Sequence, residues 1–323
     1  MTIPSSPPFA DGPAAAMCSR LSAERGLPLI GSAGCYDGVL VFELDMPWTA
    51  RLVGSRACTS DLDAAVERIG QGNVRLLAVE PRRTLRGGQH REVVRVLHFF
   101  KPQGAFGAFS LRQYDVRRER LASTLEQLAA GDAADAEHVA CPPGVRDILV
   151  CTHGARDACC GKFGYRLFLE LAALTGGDTS NVRLWRSSHL GGHRFAPTLL
   201  DLPSGRMFGR LGAGDAAAIL GGGAPLLARL ASIYRGRCAL PEGVQIVERD
   251  LWLRTGHAFE PAALQWNVES AGDGWSVRLE AALAGAPPLA MTARVIRAEV
   301  DAVRTPASCG RDPEVEAPWR ILE

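Results

Sequence analysis

The chain has 323 residues, enough for roughly two or three domains. Its hydrophobic fraction of 47% and charged fraction of 22% are those of a globular protein, and its sequence contains no apolar run long enough to span a bilayer. A formal net charge of +1 excludes bulk electrostatic attraction to nucleic acid or to an anionic membrane. We therefore expect neither a nucleic-acid partner nor a membrane partner, while the composition leaves a homodimer open.

Residues 1–17, MTIPSSPPFADGPAAAM, are rich in Pro, Ser and Ala and predict a disordered lead. They have neither the basic start nor the apolar centre of a secretory signal, so we expect a cytoplasmic protein. Cysteines in the cytoplasm are mostly reduced. The nine cysteines of this chain, an odd number, therefore indicate metal or redox chemistry wherever their spacing is unusual.

Residues 18–137 predict the element order β-α-β-β-β-α. The hydrophobic pattern places strands at 39–44, 74–79, 93–99 and 106–111. One helix begins near Ser60, and a closing helix carries Leu121, Leu125 and Leu128 on one face.

Residues 138–240 repeat this order. Strands are predicted at 148–150, 182–185, 198–202 and 207–211, with helices from Cys160 and Asp215. Turn residues recur at an offset of about a hundred residues, and the matched pairs are Gly87-Gly88 with Gly191-Gly192, Pro102 with Pro203, and Gly104 with Gly205. A strand–helix–strand unit followed by a hairpin and a helix is the thioredoxin-like arrangement. We infer a fold of the α/β (α+β) class with tandem thioredoxin-like domains at 18–137 and 138–240.

Residues 241–323 predict a C-terminal helix and a small antiparallel β meander. The helix starts at Pro241, a residue that suits a first turn, and stops at Gly256. Three strand-like runs, separated by Gly and Pro, cover 264–268, 275–279 and 289–296. The tail from Pro306 has no periodicity that predicts an element.

Two cysteines and two histidines stand out in the second domain. Cys151 ends a predicted strand, and Cys160 begins a predicted helix, whose N-terminus favours the thiolate form. His189 and His193 lie in a loop that follows the next strand. Two soft thiolates and two imidazoles on adjacent loops indicate a metal site.

The spacing of these residues narrows the kind of site. Structural zinc sites usually pair cysteines two to four residues apart, so the gap between Cys151 and Cys160 is wide for zinc. Rieske centres use two cysteines and two histidines, but there each cysteine is close in sequence to a histidine. The wide gap suits a strand-to-helix loop around a cluster larger than a single ion.

The pattern C-x8-C followed by HLGGH resembles the sucrase/ferredoxin-like family, which includes bis-histidinyl, non-Rieske [2Fe-2S] proteins with a thioredoxin-like ferredoxin domain. The resemblance extends to CSRLSAERGLPLIGSA at 18–33 and to SCG at 308–310. It implies a [2Fe-2S] cluster with four ligands, Cys151, Cys160, His189 and His193. Leu85 and Gln89 take the histidine positions in the first domain, so we expect that copy to be a scaffold without a cluster.

For the other cysteines and histidines we expect ordinary structural roles. We expect Cys159 to pack in the core, although it could be an alternative ligand or a resolving thiol. We expect His153 to be solvated in its loop, although it could relay a proton. Buried free thiols are predicted at Cys18, Cys35, Cys141, Cys238 and Cys309, and structural histidines at His90, His98, His138 and His257.

Three functions suit these residues. The first is one-electron transfer, which can be coupled to a proton, by an electron carrier or a component of a reductase system rather than a stand-alone enzyme. The second is a structural zinc protein with the same four ligands, and the third is a thiol–disulfide oxidoreductase, which the lack of a C-x-x-C pair disfavours. We predict the first. No G-x-G-x-x-G fingerprint follows a strand, so we expect a separate electron donor such as a ferredoxin reductase, and an unknown acceptor.

Overall fold

The computed structural model of the protein describes residues 17–81, 92–132, 134, 136–176, 181–256, 262–283 and 285–322. Apart from Met17, the predicted disordered lead lies outside the described residues. The same holds for several other positions used above, which are Leu85, Gly87-Gly88, Gln89, His90 and His257.

The described helices are α1 (Cys18–Glu24), α2 (Ser60–Ile69), α3 (Leu121–Ala130), α4 (Tyr165–Thr175), α5 (Asp215–Gly221), α6 (Gly223–Ile233) and α7 (Glu242–Thr255). The strands are β1 (Gly38–Glu43), β2 (Val74–Val79), β3 (Val93–Phe100), β4 (Ser110–Arg117), β5 (Glu137–Val139), β6 (Arg146–Cys151), β7 (Val182–Ser187), β8 (Leu199–Leu202), β9 (Arg206–Phe208), β10 (Tyr234–Arg237), β11 (Ala262–Ala271), β12 (Gly274–Leu283), β13 (Leu289–Arg297), β14 (Val303–Pro306), β15 (Pro313–Glu316) and β16 (Trp319–Leu322).

Ten of the described strands form one mixed sheet in the order β10-β9-β8-β6-β7-β2-β1-β3-β4-β5. In the first half, β1 is parallel to β2 and antiparallel to β3, and β3 pairs antiparallel with β4. In the second half, β6 is parallel to β7 and antiparallel to β8, and β8 pairs antiparallel with β9. The predicted mixed α/β class and the predicted element order are confirmed, and the two halves share one strand order.

The two halves, which we define as β1–β4 with α2 and α3 and as β6–β9 with α4 and α5, meet within the sheet. Strand β2 pairs antiparallel with β7 through Val79 and Ser187. Because the sheet is continuous across this pair, the domain boundaries at 18–137, 138–240 and 241–323 stay predictions. The junction lies at the end of β7, directly before the predicted histidine loop.

The central strands of each half are apolar because both faces are covered. Every residue of β1 is buried, and in β6 all residues after Arg146 are buried. Parallel strands with helices packed on them read as such continuous apolar runs. Helix α2 begins after Thr59, whose hydroxyl accepts a hydrogen bond from the Leu62 backbone N–H at 3.3 Å, a normal N-cap.

Two predicted strands have different bounds in the structure. The strand predicted at 106–111 lies later in the chain, because Phe106 makes only an isolated bridge to Leu264 and β4 begins at Ser110 and ends at Arg117. The strand predicted at 207–211 ends at Phe208, because Arg210 has a φ of 52°, which is not a strand conformation.

The C-terminal helix and the antiparallel meander are confirmed. Helix α7 ends at Thr255 and is capped by Gly256, whose φ of 72° is the left-handed cap conformation. The meander has a fourth strand from the tail, in the order β11-β12-β13-β16, and β14 pairs with β15 separately. No helix in the described residues combines the length and the apolar character needed to cross a membrane.

Candidate metal centre

The two predicted cysteine ligands come from a strand end and from a tight turn packed against it. Cys151 is the last residue of β6, and Cys160 opens a π-helical turn, Cys160–Gly164, that continues into α4. Both cysteines are fully buried. A Cβ atom on Gly164 would collide with the backbone carbonyl of Cys151, so only glycine allows this close approach. π-Helical turns are frequent at functional sites, and this one brings the two thiols together.

The two histidines lie in the loop after β7. Gly191 and Gly192 have φ values of 90° and 68°, which glycine adopts without steric cost. Gly192 also packs directly against the guanidinium of Arg235. A Cβ atom at this position would be only 2.5 Å from one of the guanidinium nitrogens. The glycine pair therefore folds the loop back so that His189 and His193 come together.

Three of the four predicted donors converge. The Nδ1 atom of His189 lies 3.9 Å from the Sγ of Cys151 and 4.0 Å from the Sγ of Cys160. One donor atom from each of these residues lies within 4.8 Å of the others. The ring of His193 stacks on that of His189, with centroids 4.9 Å apart and an interplanar angle of 29°. The structure thus brings Cys151, Cys160 and His189 into one group and places His193 beside it.

The donor set suits a metal. Thiolate sulfurs and imidazole nitrogens are ligands for soft and borderline metals. The Nδ1 atom of His193 is buried and has no hydrogen-bond partner among the described residues. A buried polar atom of this kind costs free energy unless a partner is supplied, and metal coordination would supply one.

The pKa values of the two buried thiols are shifted in opposite directions. Hydrogen bonding from the Cys160 thiol, together with His189, lowers the pKa of Cys151 well below its ordinary value, and the same pairing and burial raise the pKa of Cys160. The prediction that the helix start favours the thiolate of Cys160 stays a prediction.

A buried arginine supplies positive charge behind the centre. Arg235, on β10, is 2% exposed and donates to the Gly191 carbonyl at 3.0 Å and to the Ser32 hydroxyl at 3.0 Å. Burial lowers its pKa to about 10, and the nearby sulfurs of Cys151 and Cys160 act in the opposite direction. Arg235 therefore stays charged at neutral pH and offsets negative charge on the sulfurs.

His153 is not solvated, contrary to prediction. It is 3% exposed, and its Nε2 atom lies 2.9 Å from the backbone carbonyl of Thr49. The ring also meets Trp48 edge-on, with centroids 5.6 Å apart. The loop between the two cysteines is therefore covered by the first half, a long-range contact that the local sequence does not encode.

The cysteines outside this group follow the predictions only in part. Cys159 is buried as expected, and so are Cys18 and Cys238. Cys35 is exposed, contrary to prediction, because it lies in the irregular segment before β1; Cys141 and Cys309 are only partly buried for the same kind of reason, as both lie in segments between strands. Cys18, Cys159 and Cys309 meet in a second group with Asp157, which spacing along the chain could not reveal. The sequence feature that could have indicated this second group is the adjacent pair of cysteines, Cys159 and Cys160.

The first half also supports the histidine loop, which sequence reasoning missed. The guanidinium of Arg75, on β2, donates a hydrogen bond to the backbone carbonyl of His189. The hydroxyl of Ser188 accepts from the Ala78 backbone N–H at 3.0 Å. The first half therefore positions the loop that carries both histidines.

A family model described as sucrase/ferredoxin-like matches residues 29–248, more than half of the 323-residue chain. The matched range contains all four predicted ligands and excludes Cys18 and Cys309. Comparisons with curated proteins and with solved structures found no match. On the family match, together with the buried cysteine–histidine group, this chain belongs to the sucrase/ferredoxin-like family.

Proposed function

We propose that the protein transfers single electrons through a [2Fe-2S] cluster held by Cys151, Cys160, His189 and His193. One observation carries the proposal: two buried sulfurs and His189 converge within 4.8 Å, and the buried Nδ1 atom of His193 is left without a partner beside them. Two thiolates and two neutral imidazoles leave a cluster less negative than four thiolates would, which raises its reduction potential.

Each half of the sheet is, in this proposal, a thioredoxin-like unit. The second half is the ferredoxin domain, because it contributes all four ligands. The first half is a scaffold that has lost, or never had, ligands of its own. The contacts of Arg75 with the His189 carbonyl and of Thr49 with His153 support this role, because both tie the ligand loops to the first half.

His193 gives the centre a route to the surface. It lines a cavity of about 400 Å³, together with Gly192, Arg235 and Trp319. The backbone carbonyl of Ala307 lies against its imidazole, and burial lowers the pKa of the free ring. A ligand imidazole uses one nitrogen for the metal and leaves the other to gain or lose a proton. We propose that electron transfer is coupled to a proton at such a histidine nitrogen.

The electrons come, in this proposal, from a separate donor such as a ferredoxin reductase. The identity of the acceptor is open, and a ferric chelate or another redox protein would both fit. A zinc protein with the same four ligands is the competing function. Colour separates the two, because a ferric–sulfide cluster absorbs visible light and zinc does not.

The test compares ligand variants with matched controls. We expect Cys151→Ser, Cys160→Ser, His189→Ala and His193→Ala to lose most of their iron and acid-labile sulfide, and Cys141→Ser and His138→Ala to keep both. His193→Cys should retain a cluster at a lower potential, because a third thiolate adds negative charge. Wild-type protein should show a potential that falls by about 59 mV per pH unit where a histidine titrates. Full iron retention in all four ligand variants would refute the assignment.

A further inference from the structure

A second group of sulfurs lies beside the candidate centre and uses none of its ligands. The Sγ atoms of Cys18 and Cys159 are 3.5 Å apart, those of Cys159 and Cys309 are 3.3 Å apart, and those of Cys309 and Cys18 are 3.6 Å apart. Both carboxylate oxygens of Asp157 lie 3.9 Å from the Cys18 sulfur. Three sulfurs thus form a nearly equilateral triangle with a carboxylate beside it.

These distances match a metal site better than a disulfide. Sulfurs in a tetrahedral zinc site, with zinc–sulfur bonds of about 2.3 Å, are about 3.8 Å apart. A disulfide bond needs about 2.05 Å, and all nine cysteines, which lie in the described part of the chain, are free. One donor atom from each of the four residues lies within 4.8 Å of the others. The four donors therefore surround one point that a single ion could fill.

Three of the four donors are buried, Cys309 is half-buried, and hydrogen bonds orient the donors. Cys18 and Cys159 are fully buried and Asp157 is 4% exposed. The Ser19 hydroxyl donates to the Cys159 sulfur at 3.3 Å. The Asp157 carboxylate accepts from the Cys159 backbone N–H at 2.8 Å and from the Cys309 backbone N–H at 2.9 Å. Hydrogen bonds of this kind fix the position of metal ligands and are typical outer partners of a metal site.

We propose that Cys18, Cys159, Cys309 and Asp157 bind one structural zinc ion. Zinc favours closed sites with four protein donors, and three thiolates with one carboxylate supply them. The ion would join the start of α1, the loop that carries Cys160, and the segment after β14. These segments are 141 and 150 residues apart along the chain, so the ion would act as a long-range cross-link. The proposal is independent of the [2Fe-2S] assignment, because the two donor sets share no residue.

A thiol pair that forms a disulfide is the competing account of this group. Oxidation of two of the three sulfurs would need an external oxidant, and it would leave the third thiol and Asp157 without a role. Binding of one zinc ion uses all four side chains and requires only loss of the thiol protons to water. A zinc site predicts bound zinc and an unoxidised Cys159, whereas a disulfide predicts no zinc at this group and an oxidised cysteine pair.

The first experiment measures zinc and iron separately in full-length protein purified anaerobically. We expect about one zinc per chain in the wild type and in the control Cys141→Ser, whose thiol lies outside both groups. Cys18→Ser and Cys309→Ser should lose at least about nine-tenths of the zinc, because a three-donor site binds far more weakly. Cys151→Ser should lose iron and keep zinc, which separates the two sites.

A second measurement covers the case in which the cysteine variants fold poorly. In metal-free Cys151→Ser protein, Cd²⁺ should give a sulfur-to-metal absorption that saturates at about one equivalent, and Zn²⁺ should abolish it by competition. The proposal is overturned if wild-type protein contains no zinc above trace level and Cd²⁺ shows no saturable site. Zinc retained in full by both Cys18→Ser and Cys309→Ser, or a disulfide between Cys159 and Cys309 in non-reducing peptide mapping, would also overturn it.

Discussion

The imidazole of His153 donates a hydrogen bond from Nε2 to the backbone carbonyl of Thr49, across 2.9 Å and 104 residues of sequence. His153 lies in the loop between Cys151 and Cys160, the two proposed cysteine ligands, and Thr49 follows β1 in the first half of the sheet. The bond fixes the histidine tautomer, because a carbonyl can only accept. The ligand loop is therefore held from outside its own half.

Replacing His153 should loosen that loop. His153→Leu removes the bond to the Thr49 carbonyl, which keeps its hydrogen bond from the Leu52 backbone N–H at 3.1 Å. We expect a loss of about 0.5–1.5 kcal/mol in the free energy of unfolding, with faster bleaching of the visible absorption in air. The matched control is His138→Leu on β5, where the histidine is exposed. Unfolding by urea and the rate of bleaching measure both effects. Equal bleaching rates in the two variants would contradict a role for the Thr49 contact.

Gly164 should be intolerant of any side chain. A Cβ there collides with the Cys151 carbonyl, so Gly164→Ala must shift the π-helical turn away from β6. We expect a loss of about 2 kcal/mol or more in the free energy of unfolding and little iron in the purified protein. Gly221→Ala is the control: Gly221 is the last residue of α5 and no described atom lies within 4 Å of the added carbon, so it should be neutral or slightly stabilising. Iron content and urea midpoints that match in both variants would show that the turn has room to move.

Removal of one partner of the ion pair between Asp147 and Arg183 should destabilise the protein strongly. Asp147 is fully buried and accepts from Arg183 at 2.6 and 2.7 Å and from the Trp185 indole at 2.7 Å. Asp147→Ala leaves a guanidinium without its carboxylate, and we expect a loss of about 3–5 kcal/mol in the free energy of unfolding. The exposed pair between Asp273 and Arg294 is the control, and Asp273→Ala should cost less than about 1 kcal/mol. Chemical denaturation of Asp147→Ala and Asp273→Ala measures both losses of unfolding free energy. Equal losses would contradict a special role for the buried pair.

His98 should make the protein less stable in mild acid. Burial, with a smaller effect from Arg112, lowers its pKa from 6.5 to about 4. In the unfolded chain His98 therefore becomes protonated near pH 6.5, whereas in the folded chain it becomes protonated only near pH 4. The resulting stability is complete above the unfolded pKa and is lost as the pH falls from 6.5 toward 4.

The magnitude of this effect can be isolated with a variant. Between neutral pH and about pH 5, His98 should account for a loss of about 2 kcal/mol in the free energy of unfolding. His98→Leu removes the titrating group, so its stability should fall by about 2 kcal/mol less than that of the wild type over the same range. Urea unfolding at both pH values provides the comparison. A parallel fall in wild type and variant would show that His98 does not titrate in this way.

The local part of the site was predictable from sequence. The strand end at Cys151, the helix start near Cys160 and the glycine loop between the histidines follow from short-range patterns of apolar residues and turn residues. The π-helical turn at Cys160–Gly164 was not predicted. The element order of both halves followed from the same patterns. These features depend on neighbours in sequence, which a periodicity records.

The rest depended on contacts between distant segments. Thr49 contacts His153 from 104 positions away in the sequence, and Arg75 bonds the His189 carbonyl from 114 positions away. Cys18 and Cys309, which contact each other, are 291 positions apart. A hydrophobic period states which face of an element is buried, but not which other segment covers it. For the same reason, the tail beyond Pro306 showed no pattern, although it supplies strands to two small sheets.

The most direct test of the central claim is an absorption spectrum of anaerobically purified protein together with iron, acid-labile sulfide and zinc analysis. The account predicts a brown protein with about two irons and about two sulfides per chain, with the zinc counted separately. A colourless protein with zinc and no iron would contradict electron transfer through this centre.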